Sequence, residues 1–250
     1  IFDHIVPANT GTTATLQAEL RGYARASGID LSDAGGGICH QVMSEGVVRP
    51  GMVVVGADSH TCTLGALGAF ATGVGATDMA AIWASGATWF RVPETIAVNL
   101  TGRLDGPAEA KDVALAYVAK LGMEGATYRA LEFVGDGAPG ISMDGRLTLC
   151  NMAVETGAKA GMFYADAVAV RHLAEHGVAA SPQAVEESRY EQEIEIDLAG
   201  IVPLVAVPHR VDTVREAEEV AGTEIDQVFV GTCTNGRYED LARFARIVRG

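Results

Sequence analysis

The sequence predicts an α/β protein: two similar units followed by the opening of a third. Helical periodicity alternates with short apolar runs along the whole chain. Glycine is abundant, at 30 of 250 residues, and much of it falls between those runs, where α/β turns require it. Hydrophobic residues reach 48% while aromatics are only 6%, so the cores must be built mostly from Ala, Val, Leu and Ile.

Residues 1–92 make the first unit. Positions 13–27 carry helical periodicity, closed by Gly28 in a C-cap position. After Pro50-Gly51, the apolar run 52–57 suits a strand buried on both faces. A glycine-rich turn leads to a helix over Ala76–Ser85. Val92-Pro93 marks a boundary, and the second unit spans 93–211. In it Ile96, Val98 and Leu100 alternate with polar residues, as in a half-buried strand. Helical character follows at 111–121, a strand at 129–134 and helical character again at 149–159. The chain turns polar over 180–189, then Ile194, Ile196 and Leu198 alternate once more. The third unit, 212–250, reads as helix 213–221, strand 227–230 and helix 238–248.

Composition removes several classes of function. A net charge of −14 argues against nucleic-acid and anionic-membrane partners, which need a basic surface. An anionic substrate would need local arginines to overcome that field, and few lie near the motifs below. The four cysteines, Cys39, Cys62, Cys150 and Cys233, form no C-x-x-C pair, so the expected setting is a reducing cytoplasm. The most apolar stretch, 64–90, is interrupted by Asp78 and glycines and is no membrane span. No secretory leader opens the chain; it starts at Ile1, and 1–7 already reads as element interior, so it looks cut at both ends.

Chemistry concentrates in five segments. Val228-Phe229-Val230 precedes Gly231-Thr232-Cys233-Thr234-Asn235-Gly236-Arg237, placing Cys233 in a strand-to-helix turn where backbone N–H groups and the helix dipole favour a thiolate. Such a thiolate serves as a nucleophile or as a metal ligand, and no second cysteine follows it. Gly56-Ala57-Asp58-Ser59-His60 follows the 52–57 strand, where α/β sheets bind ligands, and an Asp beside a His suits acid–base work. An Asx-type turn with a surface His is the plainer account of that segment. Asp3-His4 pairs another carboxylate with an imidazole, and Gly37-Ile38-Cys39-His40-Gln41 sets a His and a Gln beyond a glycine-rich loop. In Cys150-Asn151-Met152-Ala153-Val154-Glu155 the amide and carboxylate share one face near a helix N-terminus; locally, capping and dipole compensation explain them best. His172 and His176 lack a zinc-protease motif, and closing a helix near Gly177 suits His176. Phosphate-loop, dinucleotide-binding and serine-elbow motifs are absent, which leaves a cysteine hydrolase as a formal alternative.

Together these segments resemble the aconitase superfamily, in particular the large subunits of 3-isopropylmalate dehydratase and homoaconitase. Each motif alone is common; five in the right order across the chain are specific. Thr232 stands where Ser is expected. The resemblance implies aconitase-like three-layer α/β domains and a hydro-lyase that isomerises a 2-hydroxy acid by dehydration and rehydration at a [4Fe–4S] cluster held by three thiolates. It implies that Cys233 is the first ligand and that His4, oriented by Asp3, protonates the leaving hydroxyl. His40, Gln41, Asp58, Ser59 and His60 would line the pocket, with His60 on the water or hydroxyl that the iron carries. Asn151, Glu155, Asn235 and Arg237 would approach the cluster and substrate. The other two ligands, a C-x-x-C, would lie beyond Gly250; the serine base and the substrate-clamping arginine would lie on a mobile domain or a separate small subunit. These residues alone should then hold no intact cluster and show no turnover. Isopropylmalate is the first substrate expected and homocitrate/homoisocitrate the second, with an RNA-binding or regulatory module as a distant alternative that the negative charge opposes.

Overall fold

The computed structural model describes residues 1–184 and 189–249. Residues 185–188 of the polar stretch predicted over 180–189, and Gly250 of the third unit, lie outside the described residues. The architecture is mixed α/β with parallel sheets, as the alternating periodicity predicts.

The first lobe opens with α1 (Gly11–Ser27), two residues earlier than predicted because the Thr10 hydroxyl caps Thr13 N–H; Gly28 at φ 65° closes it. A short α2 (Cys39–Ser44) follows, which the glycine-rich sequence before it did not announce. Strands β1 (Val53–Gly56) and β2 (Phe70–Gly73) pair in parallel, with Val53 opposite Phe70. β1 is not buried on both faces, as its apolar run suggests: it has a single partner strand, and Val53 is 68% exposed. Between the strands, Ser59–Leu67 forms a nine-residue 3₁₀ helix, long for that conformation, buried from Thr61 onward. Helix α3 (Ala76–Ser85) matches its predicted bounds.

The second lobe is a four-stranded parallel sheet built from β3 (Thr95–Thr101), β4 (Ala130–Val134), β5 (Ala160–Met162) and β6 (Gln192–Asp197), in the order β5-β4-β3-β6. Here β3 departs from the half-buried strand expected of it. It lies between β4 and β6, so Ala97 is as fully buried as Ile96, Val98 and Leu100. Edge strand β6 keeps the alternation read from Ile194 and Ile196. Helices α4 (Ala110–Leu121), α5 (Met143–Met152) and α6 (Ala167–Glu175) connect the strands. The main core gathers Tyr117, Phe133 and Phe163 with β3 and α5 aliphatics; the Tyr117 hydroxyl donates to Leu149 O at 2.7 Å, so the burial leaves no polar atom wanting.

Three predicted elements move. Helical character at 149–159 belongs to α5, which starts at the Ser142 cap and ends at Met152, followed by a 3₁₀ turn over Ala153–Thr156. The capping explanation for Asn151 therefore fails, since it sits in the last turn. The helix predicted at 213–221 is instead β7 (Leu204–Ala206) paired antiparallel with β8 (Val214–Glu216), then a 3₁₀ turn over Ala217–Val220. Packing of Leu204, Ala206 and Val214 onto the main core overrides local helix propensity there. The strand predicted at 227–230 does not form among the described residues: nothing pairs with it, and Phe229 is 76% exposed. Helix α7 (Tyr238–Arg249) follows as predicted.

The lobes meet backbone to backbone. The 3₁₀ helix packs on α5 and β5, and Phe163 N–H donates to Gly65 O at 3.1 Å. A Cβ on Gly65 would fall onto the carbonyl oxygen of Gly161, and one on Gly161 would sit 2.8 Å from the Ala153 side chain. Only glycines allow this approach. Nearby, the fully buried Arg146 makes a bidentate pair with Asp166 at 2.7 Å, donates to Ile141 O and Ala138 O, and stacks on Phe163.

Candidate active site

Asp58 organises the first half of the site. It ends the loop after β1 and caps the 3₁₀ helix, one carboxylate oxygen accepting from His60 N–H at 2.7 Å. The same oxygen faces His40 Nε2 at 3.0 Å, and the other faces His4 Nε2 at 3.5 Å. His60 Nδ1 lies 3.8 Å from Asp58 and 3.2 Å from Ser59 Oγ, while His60 Nε2 pairs with Glu155 at 3.6 Å. Asp3 holds His4 Nδ1 at 3.0 Å and, with its other oxygen, accepts from Cys39 N–H at 2.7 Å, which ties the N-terminal segment to the start of α2. Seven side chains from four separate motifs, those of Asp3, His4, His40, Asp58, Ser59, His60 and Glu155, thus share one cluster.

Their protonation differs by environment. The hydrogen bond to Asp3 raises the His4 pKa above 6.5 despite some burial. Glu155 likewise raises His60. Burial dominates at His40 and lowers its pKa below 6.5 in spite of Asp58, so its imidazole is neutral at neutral pH. Burial pushes the Asp3 carboxyl up, but hydrogen bonds from Cys39 and His4 outweigh it and the net shift is downward. The result is two imidazoles, His4 and His60, that hold their protons more tightly than usual and one, His40, that holds its proton less tightly.

The second half surrounds Cys233. The strand before it is absent and α7 begins only at Tyr238, so Cys233 sits in a loop rather than in the strand-to-helix turn that the sequence predicts. Instead a Gly231–Asn235 bridge closes the loop, with Thr232 at φ 73°. Fully buried Asn151 orients the sulfur: its Nδ2 donates to Cys233 Sγ at 3.4 Å and to Thr63 Oγ1 at 2.8 Å, while its Oδ1 accepts from Thr234 Oγ1 at 2.7 Å. Thr63 spends its own proton on His60 O at 2.7 Å, so it can only accept from Asn151, which fixes the amide's orientation. Arg237 donates to Cys233 O, Thr234 O and Gln41 Oε1, and Gln41 donates in turn to Glu45. Burial lowers the Arg237 pKa.

His40, Gln41, Cys233 and Arg237 line a single cavity of 460 Å³, and His40 also lines an adjoining one of 400 Å³ with Asp3, His4 and Asp58. The two halves therefore meet at His40. Asn235 is turned elsewhere: its Nδ2 anchors Asp240 and Thr148 in the groove beneath α7, and its buried Oδ1 has no partner among the described residues. His172 is structural, bonding Ser44 O at 3.2 Å, and His176 ends α6 as expected. Sequence reasoning did not single out Thr63, Thr234, Arg146 or Cys39. Cys39 alone carried a signal, through its place beside His40.

An acid–base cluster at the end of a parallel strand, beside the partly exposed Cys233 thiol, is a polar-ligand site of the kind α/β proteins build at strand C-termini. The model of the aconitase family (aconitate hydratase) matches residues 6–221, and the chain belongs to that family. It is 50% identical over its whole length to a probable methanogen homoaconitase large subunit of Methanosarcina mazei, covering 65% of that protein. It is 48% identical over 99% of its length to a 3-isopropylmalate dehydratase large subunit of Archaeoglobus fulgidus, and 47% identical over its whole length to the homoaconitase large subunit of Thermus thermophilus, covering 60% of each. The chain thus spans about three fifths of the curated relatives it matches. No helix among the described residues is long and apolar enough to cross a membrane.

Family membership implies a [4Fe–4S] cluster. Cys233 fits as one ligand, being partly exposed, cavity-lining and supported by an amide N–H. The other cysteines do not fit beside it. Cys62 and Cys150 are sealed in the core, where burial pushes Cys62 up to about 12 and Cys150 well above its usual range. Cys39 faces His40, and burial raises it to about 12.

Proposed function

We propose that the protein is a large-subunit portion of a hydro-lyase that isomerises an anionic 2-hydroxy acid by removing and re-adding water, with 3-isopropylmalate as substrate in leucine biosynthesis. The single observation that best supports this is the contact network of His4, Asp58, His40 and the His60–Glu155 pair, whose His40 also lines the cavity that holds Cys233. When bound, a [4Fe–4S] cluster supplies a Lewis acid for the departing hydroxyl and the adjacent carboxylate. Cys233 would hold one iron, with the remaining thiolates coming from outside the described cysteines. His4 carries its proton at Nε2 for the leaving hydroxyl, because Asp3 fixes Nδ1 and raises the pKa. Glu155 favours a proton at His60 Nε2, where the pair would orient water and exchange a proton with it. Neutral His40 acts through Asp58 as a positioning residue, holding the carboxylate toward His4. Asn151 and Arg237 set the thiol and its loop.

A small subunit is the partner proposed, by the names of the relatives, and would contribute the remaining base and a substrate-binding arginine. With two of the four cysteines buried and the two partly exposed ones, Cys39 and Cys233, lining different cavities, these 250 residues alone are expected to hold no intact cluster and to show no turnover. Free thiols throughout suit a reducing cytoplasm. A homoaconitase acting in lysine biosynthesis is the second reading, favoured by the 50% identity to the Methanosarcina protein.

The test is to reconstitute the complete subunit with its small subunit and cluster and to assay hydration of both enoates. The expected result is cluster-dependent hydration of the isopropylmalate-derived enoate, with His4→Gln lowering kcat about 10²–10⁴-fold. Hydration of only the homoaconitate-type enoate selects the second reading. No cluster-dependent hydration of either sinks both.

A further inference from the structure

We propose that Cys39, His40 and Asp58 form a mononuclear site for a thiophilic divalent cation of the Zn²⁺ class, distinct from the cluster position at Cys233. Among the described residues, no other trio of His, Cys, Asp or Glu brings its ligand atoms within 4.8 Å of one another. His40 Nε2 lies 3.0 Å from Asp58 Oδ1 and 3.8 Å from Cys39 Sγ. A tetrahedral zinc with bonds of about 2.0–2.3 Å sets its ligands about 3.3–3.6 Å apart. The thiol is the group that has to move: Cys39 Sγ is nearer His40 Nδ1, at 3.4 Å, than Nε2, so rotation of the Cys39 side chain within the cavity it lines closes the shell. One sulfur, one imidazole nitrogen and one carboxylate oxygen suit zinc, whereas magnesium and calcium take all-oxygen sets.

The surroundings already hold the three groups in place. Asp3 accepts from Cys39 N–H at 2.7 Å, fixing the start of α2, and His60 N–H fixes Asp58 at 2.7 Å. Cys39, His40 and Asp58 all line the 400 Å³ cavity, which gives the ion an entry path and leaves a fourth position for water. On binding, the Cys39 thiol proton passes to solvent and the sulfur–metal bond forms. The imidazole stays neutral by carrying its hydrogen at Nδ1, leaving Nε2 to the metal. Occupancy ties up the Asp58 oxygen that now faces His40 and disrupts the carboxylate arrangement behind His4. Inhibition by this route rests on the proposed function; the binding itself does not.

Co²⁺ alone, added to the metal-free protein, tests the site. The expected result is one equivalent bound with a near-ultraviolet thiolate-to-cobalt charge-transfer band, displaced by Zn²⁺. The band persists in Cys233→Ser and is lost in Cys39→Ser at an unchanged circular-dichroism spectrum. His40→Asn is a second variant, should Cys39→Ser fold poorly. Loss of an outer-shell partner alone costs about 10–100-fold in metal affinity, so loss of His40 itself should cost at least about 100-fold. Absence of a band in the wild type, a band that vanishes with Cys233 and survives loss of Cys39, or undiminished affinity in His40→Asn overturns the proposal. None of these outcomes depends on turnover, so this site and the proposed reaction stand or fall separately.

Discussion

Around Asp58, backbone and side chain act together. The carboxylate caps a 3₁₀ helix through His60 N–H, accepts from a buried His40 and faces His4, all within the first 60 residues. Around Cys233, by contrast, the sulfur and its loop lean on side chains distant in sequence as well as on nearby Arg237. Asn151 reaches it from α5, Thr148 holds Thr234 O at 2.9 Å, and Arg237 joins the loop carbonyls to Gln41 of α2. The loop itself includes a non-glycine residue at φ 73°. The difference teaches that the Asp58 cap and the Asp3–His4 pair are written into local structure, whereas the His60–Glu155 contact, like the Asn151 and Thr148 supports of the thiol loop, exists only once both lobes are assembled. The thiol half should accordingly open locally at lower free energy than the acid–base half.

Asp58→Ala should break that contrast hardest. It removes a helix cap and leaves His40 without its carboxylate, for about 2–4 kcal/mol of global stability by urea unfolding. Amide exchange at 231–237 should stay unchanged until global unfolding is reached; equal acceleration there would erase the distinction between the halves. Arg237→Ala should do the reverse. Hydrogen bonds from a charged donor contribute about 1.5–3 kcal/mol, so loss of those to Cys233 O and Thr234 O should speed exchange in 231–237 by about 10–100-fold with little change in the urea midpoint. Arg237→Lys should not restore it, since an ammonium cannot span the same acceptors.

The smallest effect concerns pH in the cluster-free protein. His4 and His60 have raised pKa values, so their contribution to stability is present below 6.5 and lost as pH rises through the folded value. His40 is lowered by burial, so its contribution is present above 6.5 and lost as pH falls through its folded value. The three together place their combined optimum near 6.5, and imidazole NMR titration should resolve His60 above that value and His40 below it. Glu155→Gln should move His60 back toward 6.5 and leave His40 where it is. A His60 that already titrates at or below 6.5 in the wild type would remove Glu155 from the proton-handling half.

Much of this was legible in the sequence because local chemistry determines it. Asp58-Ser59-His60 after an apolar run, Asp3-His4, and the alternation of Ile194 and Ile196 all read correctly, since caps, adjacent pairs and edge strands depend on near neighbours. What failed depended on distant partners. Ala97 is buried because β3 has two neighbouring strands; 213–221 is not helix because Leu204–Ala206 claims Val214–Glu216; 227–230 stays unpaired for want of a neighbour. The orientation of Asn151 was equally invisible, because Thr63 and Cys233 lie 88 and 82 residues away from it.

The glycine joint between the lobes limits how such a protein can diversify. With Gly65 against the Gly161 carbonyl and Gly161 against Ala153, the spacing of the two lobes is set by main-chain atoms, which no ordinary substitution resizes. Core drift, the usual source of small changes in cleft width, has no purchase at this contact. The separation of the lobes is therefore insensitive to side-chain size at this contact, and any Cβ placed there must be accommodated by moving main chain.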